Sequence, residues 1–441
     1  MAVKHFKANA NFEVRYNSLD DSQRAAVEDE YENIVVRAPA GSGKTHTLLT
    51  AIAAYRYEHL NDRICAITYT RAARAEMEER LKQFGIYDIE VTTIHVWARN
   101  LLQDFSLKYD FKIRILQEPE IMAILEELVR EFNAKTRAKV KVKAGILYAF
   151  VMGNKNMDVT DSYRRALKTL EEHYIRYKED NLLYDCNDYP KYLYDVMKLY
   201  DEYIYSIDAL FVDEFQDVDQ YQLWTFNRVF ANKKFFIGDP WQSIYIFRGA
   251  DGEVFRKLPG FHVHNLKYNY RSHQEIIDFA VSTREYLANL EEYEEGYITD
   301  DGNITYPNDK VLCHKGYGGT VYSYNPFGVD CSYENKVTRR CSFDSFTEMI
   351  YSNPMILCRT NKQVRGIQEM GFTNVSTVHQ AKGLEYDNVI VIDSTICSAE
   401  DMNIAYVALT RARNKMLVIN YPRFIELARR YEKKKLTEVL I

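Results

Sequence analysis

The sequence predicts an α/β protein built on parallel sheets flanked by helices. Three observations support this. The apolar run Ile34–Val36 leads into a Gly-rich loop, Ala38-Pro-Ala-Gly-Ser-Gly-Lys-Thr45, and then into a helical stretch. A second run, Ala209-Leu-Phe-Val212, ends in two adjacent acids, Asp213 and Glu214. A third, Phe235-Phe-Ile-Gly238, opens a polar loop that continues Asp-Pro-Trp-Gln242. Short apolar runs bounded by turn chemistry read as buried strands.

The first element has the order of a phosphate-binding loop. Glycines at 41 and 43 let the backbone turn sharply and point its N–H groups inward. Around them, Ala40, Ser42 and His46 belong to the same cradle, Lys44 reaches the β and γ phosphates, and the Thr45 hydroxyl suits Mg²⁺. A helix starting near residue 44 adds its partial positive charge. The strict motif has glycine where Ala38 stands. Upstream, Asp20 or Ser22 is placed to cap a helix, and Gln23 carries an amide able to pair with adenine N6 and N7.

The second element places Asp213 at a strand tip, where it can bind Mg²⁺ directly or through water, and Glu214 where it can orient and deprotonate a water. Adjacent acids at the end of an apolar strand are costly unless a cation offsets them. In the third element, Gln242 could sense a γ phosphate. Tyr245, Phe247 and Arg248 form an aromatic and cationic group of the kind that stacks unpaired bases.

The bulk numbers set limits. The chain has 441 residues, 46% hydrophobic and 27% charged, with a formal net charge of −6. That excludes a uniformly basic nucleic-acid coat but leaves room for a locally basic groove. Seven cysteines are scattered without a CxxC pair, which favours reduced thiols and a cytoplasmic location over a disulfide framework or a cysteine zinc site. The first residues lack the apolar core of a signal peptide. No apolar run approaches the ~20 residues of a membrane span.

Together the motifs resemble the UvrD/Rep/PcrA-type superfamily 1 helicases. The resemblance rests on APAGSGKT, DEFQD and GDPWQSIYIFRGAD with Thr68-Tyr-Thr-Arg-Ala-Ala-Arg-Ala-Glu-Met77, Thr93-Ile-His95, Asn269-Tyr-Arg-Ser272, Thr377-Val-His-Gln-Ala-Lys-Gly-Leu-Glu385 and Tyr406-Val-Ala-Leu-Thr-Arg-Ala-Arg413. They occur in the family's order from residue 19 to about 420. The resemblance implies two RecA-like P-loop domains that hold ATP and Mg²⁺ in a shared cleft, with a helical accessory domain inserted in the first. Gln23 would read adenine, Tyr270 would stack on the base and Glu385 would bond the ribose. Arg271 and Arg411 would reach the γ phosphate, where guanidinium groups stabilise the charge on a transferring phosphoryl. Tyr69, His95, Phe247, Arg359, Thr377 and His379 would line a single-strand DNA track, with Tyr245 beside them. Two places depart from the family pattern: Arg71-Ala-Ala-Arg74 displaces a cation, and Met402-Asn403 replaces a usual arginine pair.

The expected organisation follows. Residues 1–98 and 200–263 form the first RecA-like domain, 99–199 the helical accessory domain, and 264–441 the second RecA-like domain with an irregular insert at about 287–353. The apolar period of Ile121–Phe132 predicts a helix, and the basic run Lys135–Lys143 is either a nucleic-acid face or a solvated loop. Larger relatives carry a second accessory domain between the segments matching Arg359 and Thr377. Here that interval holds one helix, Gln363–Met370, stopped by Gly371. The expectation is a monomeric 3′→5′ translocase or helicase acting on single-stranded DNA and single/double-strand junctions, with any second-accessory-domain control missing or taken over by the insert or a protein partner. The alternative is a DNA-stimulated ATPase subunit of a larger nuclease, repair or defence complex.

Overall fold

The structure, a computed structural model, describes residues 9–135, 140–153, 157, 159–200, 206–245, 250, 254–290, 297–298, 304–305, 312–316, 318–324, 338–393 and 399–439. The first sheet contains β1 (Asn33–Arg37), β2 (Ile64–Thr68), β3 (Glu90–Thr93), β4 (Ser206–Val212), β5 (Phe230–Gly238) and β6 (His262–Asn265), in the order β3-β2-β4-β5-β1-β6. β1 runs parallel to β5 and β6, and β2 parallel to β4. Buried on both faces, β2 is apolar at almost every position, as a strand sandwiched between helices must be. Ile34 and Val36 of β1 pack with Leu48 and Ile52 of the helix Lys44–Glu58 and with Phe211 and Phe235 of the neighbouring strands.

Register decides where the chemistry emerges. Arg37 lies opposite Gly238, so the Gly-rich loop after β1 and Asp239 after β5 leave the sheet at one edge. Ile67 lies opposite Val212, which brings Asp213 and Tyr69 out at the carboxyl ends of β4 and β2. This is the edge at which open parallel sheets bind ligands.

Beyond the first sheet, β7 (Tyr268–Asn269) pairs with β10 (Leu312–Cys313), and β8 (Tyr297–Ile298) with β9 (Ile304–Thr305). The second large sheet contains β11 (Thr320–Tyr324), β12 (Thr338–Arg340), β13 (Met355–Cys358), β14 (Val375–Thr377), β15 (Tyr386–Asp393) and β16 (Ala412–Asn420). Its order is β12-β11-β16-β15-β13-β14, and every pairing in it is parallel. Part of the insert expected at 287–353 lies outside the described residues. β11, β12 and the helix Phe343–Tyr351 complete the second α/β layer, with Phe346 and Met349 buried in its core. β11 falls within residues 316–324, where Gly-rich turns around a β-branched and aromatic run read as short β structure.

The chain divides into two compact units. One joins residues 1–92, 207–220 and 231–441 and so holds both sheets. Within it the two halves share core: Trp241 from the first packs its ring edge-on to Tyr406 of the second at 5.3 Å. The other unit joins 93–206 with 221–230, wider than the expected 99–199. It is helical, with Ile94–Tyr109, Glu118–Lys135, Ala144–Val151, Asp161–Asp180 and Tyr189–Tyr200. Trp97 lies 5.5 Å from Phe226, which explains why 221–230 belongs to it. The predicted helix at 121–132 is the middle of Glu118–Lys135, and part of the basic run that follows lies outside the described residues.

Between β13 and β14 the chain makes a single helix, Asn361–Gln368. It starts two residues before the predicted Gln363 because Thr360 caps it, with the Thr360 hydroxyl accepting from Gln363 N–H and the Gln363 side chain returning to the cap. It ends at Gln368, and Gly371 follows at φ +89°.

Candidate active site

The Gly-rich loop is held from both sides. Gly41 and Gly43 have φ of +74° and +80°, the left-handed region. A Cβ at Gly41 would meet Asn269 Nδ2 at 2.6 Å, and one at Gly43 would meet Gln23 Nε2 at 2.8 Å. Those amides are the loop's supports: Gln23 Nε2 donates to Ser42 O at 2.9 Å, Asn269 Nδ2 to Ala40 O at 2.5 Å, and Tyr270 N to Gly41 O at 2.8 Å. Gln23 Oε1 accepts from Asp20 N, completing a capping box on the helix Asp21–Val27. The Gln23 amide thus serves the loop and the cap in this structure. The Tyr270 hydroxyl donates to Asp20 Oδ2 at 2.5 Å, and its ring is part-exposed. His46 points to the Ser18 hydroxyl, with Nε2 at 3.3 Å, and burial keeps its ring below the usual histidine range. Thr45, half-buried, occupies the second position of the helix.

Charges gather at the loop's mouth. Lys44 Nζ lies 3.0 Å from Glu214 Oε2. Burial opposes the ammonium charge, but Glu214, Asp239 and Asp213 outweigh it and hold Lys44 above its ordinary value. Burial, then the adjacent Glu214 charge, pushes Asp213 up to about 7. Burial also opposes the Glu214 charge, but Lys44 and Lys382 prevail and keep that carboxyl well below the usual range. Glu214 sits at φ +49°, a backbone position that costs a non-glycine residue about 1–3 kcal/mol. Gln216 Nε2 steadies it at 2.5 Å. Gln242 donates to Asp239 Oδ2 at 2.7 Å.

The second half supplies the cations. Arg411, 1% exposed, directs Nη2 to Gln242 Oε1 at 3.3 Å and is fixed by the Val407 and Leu384 carbonyls. Burial and then Arg271 lower it to about 9. Arg271 Nε donates to Glu385 Oε2 at 2.5 Å and Nη1 to Thr410 O at 3.1 Å. Glu385 also pairs with Arg413. Burial raises this carboxyl, but the two arginines bring it below its ordinary value.

One bridge was missed by the sequence reading. Lys382 Nζ sits 2.8 and 2.6 Å from the two Asp217 oxygens and 3.0 Å from Gln242 O. Both residues stood inside quoted motifs; nothing in one strand's sequence says which acid a lysine 165 positions away will meet.

A hard divalent cation fits the acidic edge. Asp213 is buried with a raised pKa, the Thr45 hydroxyl is near the helix start, and the buried Ser42 hydroxyl has no hydrogen-bond partner. An all-oxygen donor set of this kind suits Mg²⁺.

The expected nucleic-acid residues separate into groups. Tyr69 and Tyr245 stack at 5.8 Å with planes 6° apart, His379 lies 6.2 Å from Tyr245, and Lys382 Nζ stands 4.5 Å over the Tyr245 ring. Thr377 is buried and exchanges hydrogen bonds with Gln380, capping the turn that carries His379. Arg359 is engaged by Asp401, Nη2 to Oδ1 at 2.9 Å. Phe247 lies outside the described residues. His95 belongs to the helical unit, where burial lowers its pKa and the Asn187 backbone and Asp188 act against that shift. At Met402-Asn403, Arg284 of the helix Gln274–Leu290 lies over the Trp241 ring at 5.3 Å and bonds Asn403 Oδ1 at 3.2 Å.

Residues 19–261 match the UvrD/REP helicase N-terminal domain, and 373–419 match the UvrD-like helicase C-terminal domain. Among similar proteins, a probable DNA helicase II homolog of Mycoplasma capricolum is 29% identical over 60% of this chain and 40% of its own length. The ATP-dependent DNA helicase PcrA of Leuconostoc citreum is 27% identical over 80% of this chain and 48% of its own. A probable DNA helicase of Mycoplasma pneumoniae is 25% identical over 91% of this chain and 83% of its own. The chain therefore spans less than half the length of the first two relatives. With its N-terminal match covering more than half of the sequence, the chain belongs to the UvrD/REP helicase family.

Proposed function

We propose that the chain is an ATP-dependent translocase or helicase moving 3′→5′ on single-stranded DNA, with hydrolysis in the cleft between its two α/β halves. The observation that supports this most is that Arg411 of one half contacts Gln242 of the other and lies within electrostatic reach of both Arg271 and Glu214, the latter paired with Lys44. Each reactive group is paired at rest. An incoming phosphate draws Lys44 from Glu214, which raises the basicity of that carboxylate where a base is needed. Arg271 likewise exchanges Glu385 for phosphate. Mg²⁺ held by Asp213 and Thr45 would neutralise phosphate charge. Lys382 ties Asp217 to the turn that carries His379 and stands over Tyr245, so the aromatic face and the nucleotide edge share one residue.

Tyr69, Tyr245 and His379 present faces suited to stacking bases of any sequence. The single helix between β13 and β14 keeps open a second reading, an ATPase subunit whose unwinding needs a partner. Strand displacement on 3′-tailed and 5′-tailed duplexes, with ATPase measured alongside, decides. Unwinding of the 3′-tailed substrate alone supports the first reading. DNA-stimulated hydrolysis without displacement supports the second, and DNA-independent hydrolysis overturns both.

A further inference from the structure

At the edge strand of the first sheet, His262 and His264 stand two residues apart and so share a face of β6. Asp29, in the turn before β1, meets both: its Oδ2 contacts His262 Nδ1 and lies 2.6 Å from His264 Nε2. The three ligand atoms all fall within 4.8 Å of one another. We propose that Asp29, His262 and His264 form a binding site for one zinc-class divalent ion, separate from the nucleotide site.

The donor set selects the ion class. Two imidazoles and one carboxylate suit Zn²⁺, Co²⁺ or Ni²⁺, whereas the all-oxygen edge at Asp213 suits Mg²⁺. Tetrahedral zinc with bonds of about 2.0–2.2 Å needs its ligand atoms ~3.3 Å apart, a small side-chain rotation from the observed cluster. The surroundings support the ligands. Tyr31 N donates to the other Asp29 oxygen at 2.8 Å, leaving Oδ2 to face the histidines. Lys233 Nζ pins the same turn through the Asp29 and Tyr31 carbonyls, at 2.6 Å each. The Tyr31 ring lies 4.5 Å from the His262 ring. Asp29 and His264 are largely covered, while the His262 side chain is 38% exposed, which leaves the fourth position to water. The ion would fasten two segments that flank the nucleotide site in sequence: the turn after the Gln23 helix and the strand that runs on to Asn269-Tyr-Arg271.

The test uses the full chain, stripped with chelator and kept in excess Mg²⁺, titrated with Zn²⁺ against a chromophoric chelator. One equivalent should bind and raise Tm, because an ion bound only by the folded state stabilises it. Co²⁺ should give the absorption of a tetrahedral site. His264→Gln and His262→Gln should each weaken zinc binding at least about tenfold, because each removes a ligand, and Asp213→Asn should bind as the parent does. His262, half-exposed, gives a folded variant should His264→Gln not fold. No zinc uptake by the parent overturns the proposal and leaves a hydrogen-bonded cluster. So does unchanged uptake by His262→Gln, or loss of uptake in Asp213→Asn.

Discussion

The two parallel sheets finish in opposite chemistry. The strand tips of the first carry acids, Asp213 and Asp239, with one lysine from the loop beside them. The second sheet and its approach carry guanidinium groups, Arg271 and Arg411, each held by carbonyls or a carboxylate. Neither edge alone could stabilise both the attack on a phosphoryl group and the charge that develops on it. The difference teaches that catalysis, as proposed, would be a property of the junction, so a perturbation on one side should be felt as a loss on the other.

The sharpest break is Arg411→Ala. Removing a guanidinium aimed at developing phosphoryl charge should lower kcat by about 10³–10⁵, with nucleotide affinity much less affected. Single-turnover ATPase with nucleotide binding measured alongside checks it. Glu214→Gln comes next, losing about 10²–10⁴ in kcat as a general base is removed. Equal losses in kcat and affinity for either variant would mean that the halves do not cooperate as described.

Lys382→Met tests the bridge. It leaves Asp217 buried without its cation, at a cost of about 3–5 kcal/mol, and adding Asp217→Leu should recover much of it. The sign with pH follows from burial, which raises Asp217 to about 6 against the opposing pull of Lys382. A carboxyl raised in the folded state loses relative stability as pH rises from the unfolded value through the folded one. Denaturation of the single variant should therefore show a stability that falls more steeply over that window than the parent's, and Asp217→Leu should flatten it. Tyr245→Ala should weaken single-strand DNA binding by about 1–3 kcal/mol, read by fluorescence titration. The smallest effect is Thr360→Ala, about 1 kcal/mol from a lost helix cap.

Much of the nucleotide edge was legible because its residues are local. Strand, loop and helix follow one another from Ile34 to Glu58, and a parallel strand's tip can be read from its apolar run. Partnership was not legible. That Gln23 supports Ser42, that Lys382 meets Asp217, and that Arg284 bonds Asn403 all depend on chain segments far apart in sequence. β12 was unread for a different reason: three residues carry too little period to separate a strand from a loop.

The turn at Gly371 has a use in construction. Its residue is exposed, a side chain there would meet nothing within 4 Å, and it joins two strands that already lie side by side. A port of that kind accepts foreign sequence without disturbing the sheet on either side. A fluorescent domain spliced in after Gly371 should therefore ride on the second half as a reporter, turning any movement of that half against the first into a signal that can be followed in real time.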